Sequence, residues 1–280
     1  YEKEKLELSD LKKLVSRVRD GEIDGVNITT PFKNSIIQHL DKAIDYTSNM
    51  QKLPPDTYWG SSGLPHSVNT LFKRDNFVLG ANTDTSGFLQ SLNVLDIDVK
   101  DKSVLIFGAG GVVQSIIFIL KIRGVKKIYL SNRTKSKAEN IRQDHVNNNN
   151  KSIIEIIEWE SLLEDPPEFD IIINATSLGL NKDDVIPFNY EKYEKKTFYD
   201  IVYNKKENLP AVTDGFQGTI FLAGGMGKGN RVRNGAAMLI LQAANAFSIW
   251  HGFDPFREEI TNFDKTVKYV FPDFYKENVN

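Results

Sequence analysis

At the front of the chain the apolar positions recur first at helical and then at strand spacing. Leu11, Leu14, Val15 and Val18 fall three and four apart, which predicts an amphipathic helix capped by Ser9 or Asp10. Gly25-Val-Asn-Ile-Thr-Thr30 predicts a strand that stops at Pro31, and Ser35 to Tyr46 resumes a helical period, so a βα unit is expected here. A loop rich in Pro and Gly, Leu53 to Pro65, leads into Ser67 to Phe72 and Phe77 to Gly80. With Lys73-Arg-Asp-Asn76 between them, these runs predict a hairpin. Beyond Asp101 the pattern changes. Lys102 to Phe107 is a buried-strand run, Val112 to Ile122 a packed helix, Lys127 to Leu130 a strand, Lys135 to His145 a helix and Phe169 to Ile173 another strand. Asn147 to Asn150 is a low-complexity surface loop, and Asn234 to Trp250 is apolar and helical. Strands alternating with helices predict an α/β protein whose second part is a doubly wound parallel sheet.

Composition narrows the possible chemistry. With 280 residues, roughly 150 per domain suggests about two domains, each with its own core. Cys is 0, which removes disulfides, thiolate zinc sites, iron–sulfur clusters and cysteine nucleophiles; no His cluster replaces them, so no metal is expected. Lys+Arg 35 against Asp+Glu 37 leaves a formal charge of −2, which argues against nucleic acid as a main partner. No apolar run approaches the roughly 20 residues of a membrane span, and the charged start Tyr-Glu-Lys-Glu-Lys has no signal-peptide core. The cytoplasm is the default expectation.

Gly108-Ala109-Gly110-Gly111 lies directly after a buried strand and before an apolar helix. In that setting small residues let the backbone approach a pyrophosphate, and the free N–H groups of the helix N-terminus receive its charge. The usual third glycine position holds Val113, so packing there must be relieved elsewhere, with Ser115 the candidate. About twenty residues on, where an NAD-binding site carries an acid for the ribose 2′-hydroxyl, this chain has Ser131-Asn132-Arg133-Thr134. Arg133 can pair with a 2′-phosphate, and Asn132 and Thr134 can donate to it, so the cofactor is expected to be NADP. A doubly wound sheet that binds NADP in this way is Rossmann-like.

The front part should then hold the substrate. Reduction of a carbonyl creates alkoxide charge, so the site needs a cation or proton donor beside the reacting oxygen. Lys33, after the proline-stopped strand, can serve, and Asp84 can orient it and accept from a substrate hydroxyl. Taken singly, Lys33 reads more simply as a surface lysine at a helix start and Asp84 as an N-cap for a helix from Ser86. Which group moves the proton stays open.

The ordered set Gly25-Val-Asn-Ile-Thr-Thr-Pro-Phe-Lys33, Val68-Asn69-Thr70, Gly80-Ala-Asn-Thr-Asp84, Gly108-Ala-Gly-Gly111, Asn132-Arg-Thr134, Asn174-Ala-Thr-Ser-Leu-Gly179, Tyr199-Asp-Ile-Val-Tyr203 and Met238-Leu-Ile-Leu-Gln242 resembles the shikimate dehydrogenase family from residue 25 to about 250. The resemblance implies reversible NADPH-linked reduction of 3-dehydroshikimate to shikimate, in chorismate and aromatic amino-acid biosynthesis. It makes Lys33 and Asp84 the catalytic pair and puts Thr29, Asn69, Tyr203 and Gln242 on the substrate. Gly108 to Val112 would hold the pyrophosphate, Asn132, Arg133, Thr134 and Lys137 the 2′-phosphate, and Ile201 and Gly235 the nicotinamide. The implied division is a substrate domain of residues 1–100 completed by 234–280, and an NADP-binding domain of 101–233, in a monomer or homodimer.

Two features depart from the family pattern. The family's Ser-x-Ser substrate loop has no counterpart before Thr29, so a first βα unit of about thirty residues is expected ahead of Tyr1, without which carboxylate binding would be weak. Asn204 to Arg233 is longer than expected and includes Gly224-Gly-Met-Gly-Lys-Gly229, read as an extended surface loop. A quinate/shikimate or aminoshikimate dehydrogenase, and a non-catalytic NADP-binding paralogue, are the alternatives.

Overall fold

The amphipathic stripe at the front forms helix α1 (Leu11–Arg19) in the computed structural model, which describes residues 2–44, 67–145, 152–164, 166–179, 184–202, 211–213, 216–217, 219–256 and 265–266. All four stripe residues are buried. Neither expected cap operates at α1 itself. A single 3-10 turn, Leu8–Asp10, runs straight into it, and the Asp10 carboxylate accepts the Glu7 N–H at 2.8 Å, one turn earlier.

Strands β1 (Gly25–Asn27), β2 (Lys42–Ile44), β3 (Thr70–Arg74) and β4 (Phe77–Ala81) form a sheet in the order β1-β3-β4-β2 among the described residues. β3 and β4 are the expected hairpin, Arg74 opposite Phe77, with Asp75 in the left-handed region at φ 55°. β2 corrects the expectation of a helix from Ser35 to Tyr46. After a 3-10 turn at Ile37–His39 the chain extends and pairs parallel with Leu79–Ala81. A long-range clasp decides this. Asp41 accepts the Val78 N–H at 2.7 Å and both terminal guanidinium nitrogens of Arg19 at 2.8 and 3.3 Å, and these donors hold its carboxyl below the usual range. The loop from Leu53 to Pro65 and the Asn147–Asn150 run lie outside the described residues.

Helix α2 (Thr83–Val94) leads into β5 (Ser103–Phe107), α3 (Gly111–Ile122), β6 (Lys127–Ser131), α4 (Lys135–Asp144), β7 (Ile154–Ile156), β8 (Ile171–Asn174) and β9 (Thr197–Asp200). A ribbon of β10 (Ala211–Thr213) and β11 (Phe216–Gln217) precedes α5 (Ile220–Gly225), β12 (Arg231–Arg233) and α6 (Ala236–His251). Among the described residues six parallel strands stand in the order β12-β9-β8-β5-β6-β7. Chain order reverses between β5 and β8, the crevice where doubly wound sheets bind nucleotides. Alternation along each strand feeds two cores. Val104, Ile106, Ile171, Ile173 and Tyr199 face one with α2 and α3, while Leu105, Phe107, Ile172 and Phe198 face an aromatic one with Phe188, Tyr193 and Phe221. No helix among the described residues is long and apolar enough to cross a membrane.

The expected surface loop holds for Met226 to Gly229, which are exposed and irregular, but not for the residues on either side. Phe221 and Leu222 are buried, and Arg231–Arg233 pairs parallel with Thr197–Tyr199. The two glycines at the end of α5 answer to aromatic rings. A Cβ on Gly224 would lie 2.9 Å from the Tyr190 ring and one on Gly225 2.6 Å from the Phe198 ring, so α5 rests directly on both.

Three packing features tie the two sheets together. Phe88 of α2 stacks on Tyr199 of β9 with centroids 5.9 Å apart, and the Tyr199 hydroxyl bonds Ser91 at 2.8 Å. At the crossing of α2 and α6, a Cβ on Gly87 would lie 2.7 Å from Gln242 Cβ and 2.9 Å from its backbone nitrogen. At the far end of α6, the Trp250 indole donates to Leu71 O at 2.9 Å, in space that only a glycine at position 25 leaves open. At the carboxyl end of β9, Asp200 is fully buried and accepts from Asn174 Nδ2 at 2.9 Å, Val202 N–H at 2.9 Å and the Thr219 hydroxyl. Burial pushes its carboxyl up to about 7 against those donors.

Gly87→Ala forces α6 off its seat. Overpacking of about 1–3 kcal/mol exceeds the gain of about 1 kcal/mol in helix propensity. The melting temperature should fall by a few degrees, at about 2–4 °C per kcal/mol; an unchanged or higher value would mean that α6 slides freely on α2. For Asp200, a folded pKa of about 7 above the ordinary 3.8 means the protonated carboxyl favours the fold. That contribution is full at low pH and disappears as pH rises through the folded value. Melting temperatures between pH 5 and 8 should therefore drop for the wild type relative to Asp200→Asn, and parallel curves would refute the assignment.

Candidate active site

The loop from Thr29 to Lys33 is set by the end of β1 and by bonds across the first sheet. Ile28 N–H donates to Asn69 O at 2.8 Å, Val68 N–H to Lys33 O at 2.8 Å, and the buried Ile36 anchors the far side. Lys33 Nζ thereby reaches Asp84 Oδ2 at 2.7 Å, with side chains only 19% and 11% exposed, so little water competes for the pair. Asp84 is free to turn this way because it is not the N-cap of α2. Asn82 is, accepting the Asp84 N–H at 3.0 Å. Asn69 holds the other carboxylate oxygen, Nδ2 to Asp84 Oδ1 at 3.0 Å, and its own Oδ1 accepts the Thr83 N–H at 2.8 Å. Removing either charge would leave the other buried and uncompensated, the costly way to break such a pair.

Gln242 closes the cluster from α6. Its Oε1 accepts from Thr83 Oγ1 at 3.4 Å while its Nε2 donates to Leu239 O at 3.0 Å. Lys33, Asn69, Asp84 and Gln242 are thus brought together. Thr29 is exposed, its hydroxyl 3.5 Å from Thr30 O, and no hydrogen bond joins it to that cluster among the described residues. Tyr203 lies outside the described residues.

Asn82 is a residue that the sequence reading missed, although its place immediately before a helix is a capping signal. Its Nδ2 donates to Ser67 Oγ at 2.8 Å and to Ser115 Oγ at 3.0 Å, so it ties the head of α2 to α3. Ser115 therefore accepts a bond from α2. The tightest approach at the glycine turn falls instead on Gly108, at φ +111°, where a Cβ would lie 2.7 Å from Ala175 O.

That turn stands at the crevice between β5 and β8. Gly110 caps α3 and a Cβ there would meet nothing within 4 Å, so the chain is open on that side of the helix N-terminus, whose first N–H groups have no helical partner. Val112 is half-buried behind them. At the end of β6, Asn132 Nδ2 donates to Thr134 O at 2.8 Å and closes the turn, and Arg133 and Lys137 are exposed. The Ser131 hydroxyl beside them is buried and has no partner among the described residues. Ile201 and Gly235 touch, since a Cβ on Gly235 would fall 2.1 Å from Ile201 O. A helix N-terminus, glycines and cations that are unpaired among the described residues, all along one edge, suit a dinucleotide carrying an additional phosphate.

Two family models match the chain, the shikimate dehydrogenase substrate binding domain over residues 1–51 and shikimate / quinate 5-dehydrogenase over residues 91–202. Shikimate dehydrogenase (NADP(+)) of Pelagibacter ubique is 41% identical over 256 residues, covering 91% of this chain and 83% of the relative. The crystal structure of the Aquifex aeolicus shikimate dehydrogenase superposes with a TM-score of 0.71 at 29% identity, covering 95% of this chain and 84% of that one. The Thermus thermophilus shikimate 5-dehydrogenase, solved with NADP(H) and shikimate, gives 0.66 at 26% identity, covering 89% and 81%. With an identity of 41% sustained over nearly its whole length and the same fold, the chain belongs to the shikimate dehydrogenase family.

Proposed function

We propose that this protein catalyses the reversible NADP-linked reduction of 3-dehydroshikimate to shikimate, a step in aromatic amino-acid biosynthesis. The observation that carries the reading is the Lys33–Asp84 pair, 2.7 Å apart at the head of a helix whose cap, Asn82, bonds α3 one turn from the glycine cradle. Residues 1–100 with 234–280 form the substrate part and 101–233 the cofactor part. The setting expected from sequence is the cytoplasm, as a monomer or homodimer.

When bound, NADPH supplies the hydride for the carbonyl carbon. The Lys33 ammonium faces the oxygen on which negative charge develops and gives it a proton, while Asp84 and Asn69 hold the Nζ in place. Thr29, Asn69, Tyr203 and Gln242 contact the hydroxyls and carboxylate of the ring; neutral polar groups suit hydroxyls because each needs both a donor and an acceptor. Gly108, Ala109, Gly110, Gly111 and Val112 hold the pyrophosphate by backbone N–H groups. Asn132, Arg133, Thr134 and Lys137 hold the 2′-phosphate, and Ile201 and Gly235 line the nicotinamide.

Steady-state oxidation of shikimate with NADP tests the reading, and absence of turnover in a chain that binds NADP would sink it. Lys33→Ala should lower kcat by about 10²–10⁴ with KM little changed, because the ammonium matters most in the transition state. A rise in KM alone would make Lys33 a binding residue. Arg133→Ala should weaken NADP by about tenfold or more and leave NAD nearly unaffected; equal losses would contradict the 2′-phosphate role.

A further inference from the structure

The side chain next to Lys33 reaches toward the N-terminus of α3. The position that a Cβ would take on Gly111, the first residue of α3, lies 3.7 Å from Asn34 Oδ1, its one neighbour within 4 Å among the described residues outside its own helix and chain neighbours. Asn34 is exposed, and its carboxamide makes no hydrogen bond among the described residues. Its backbone is held on both sides: Lys33 O accepts the Val68 N–H at 2.8 Å, and Asn34 O accepts the Ile37 N–H at 3.3 Å.

We infer that Asn34 is a cofactor-binding residue, contributed by the substrate part, whose carboxamide donates to the pyrophosphate of the dinucleotide seated on the N-terminus of α3. The inference rests on the cofactor reading above. A half-turn about the last side-chain torsion exchanges the oxygen facing Gly111 for an NH2 group, so the residue can present a donor to an anion without moving its backbone. Being neutral, it does not discriminate between dinucleotides with and without the 2′-phosphate. Because Lys33 is the preceding residue, the loop that carries the catalytic ammonium is fastened to the dinucleotide by its neighbour.

Isothermal titration of NADP and of NAD into the full chain tests this. Asn34→Ala should raise Kd about three- to tenfold for both dinucleotides, the range of one net hydrogen bond. Asn34→Asp should cost more, with a loss that shrinks as salt is added, since it sets a like charge beside the phosphates. Wild-type binding together with unchanged affinity in both variants would overturn the inference and leave the cofactor reading standing. A loss confined to NADP would also overturn it, because it would move Asn34 to the 2′-phosphate. A wild-type chain that binds neither dinucleotide would overturn the cofactor reading, and this inference with it.

Discussion

The head of helix α2 is a buried polar surface that several other segments help to satisfy, although the Thr85 hydroxyl has no partner among the described residues. Thr83, Asp84, Thr85 and Ser86 are all buried in its first turn, where four N–H groups already lack helical partners. Asn82 supplies a cap, Asn69 bonds Thr83 and Asp84, Lys33 neutralises the carboxylate, and Asn245 of α6 donates to Ser86 at 2.8 Å. Those partners come from different segments: Asn82 follows β4, Asn69 precedes β3, Lys33 follows β1 and Asn245 lies in α6. Unpaired groups at this depth would cost about 1–3 kcal/mol apiece, so the first sheet, α3 and α6 are held against α2 by the same bonds that form the site.

The apolar half of α2 has the complementary task. Phe88, Leu89 and Leu92 are part of the core on one face of the parallel sheet, so the helix that presents Asp84 is rooted in that sheet. The aspartate is thereby fixed relative to β9 and Ile201. Its partner lysine arrives on a loop of the other sheet. Such a division suits a reaction between two bound molecules, where ångström errors in alignment cost rate steeply.

The three middle strands of the parallel sheet, β8, β5 and β6, were legible in the sequence because their signals are local, whereas the short outer strands β7, β9 and β12 were not. Val104 to Phe107 and Ile171 to Ile173 are uninterrupted apolar runs, and the glycine turn lies where strand gives way to helix. The Lys33–Asp84 pairing was legible through family motifs and carbonyl chemistry, although neither residue alone separates itself from a surface lysine or a cap. β2 was not, since its extended form depends on Asp41 meeting Val78 and Arg19, residues far away in the chain. Nor were the glycines of α5: they register the rings of Tyr190 and Phe198, which no window around residue 224 contains. Asn82 was hidden by its neighbour, because Asp84 is as good a capping residue and drew the assignment two positions too far.

The seat of Trp250 on Leu71 and Gly25 has a consequence for how the chain is made. The six-stranded sheet runs from residue 103 to residue 233, so most of it can form as the polypeptide emerges. The first sheet contains some of the earliest residues, yet one of its faces meets α6, whose last turn is synthesised about two hundred residues later than β1. Contacts of such sequence separation form late and slow the search for the fold. The part built on the first sheet is therefore started before the parallel sheet and finished after it, with its apolar surface waiting for a helix that is still to be translated.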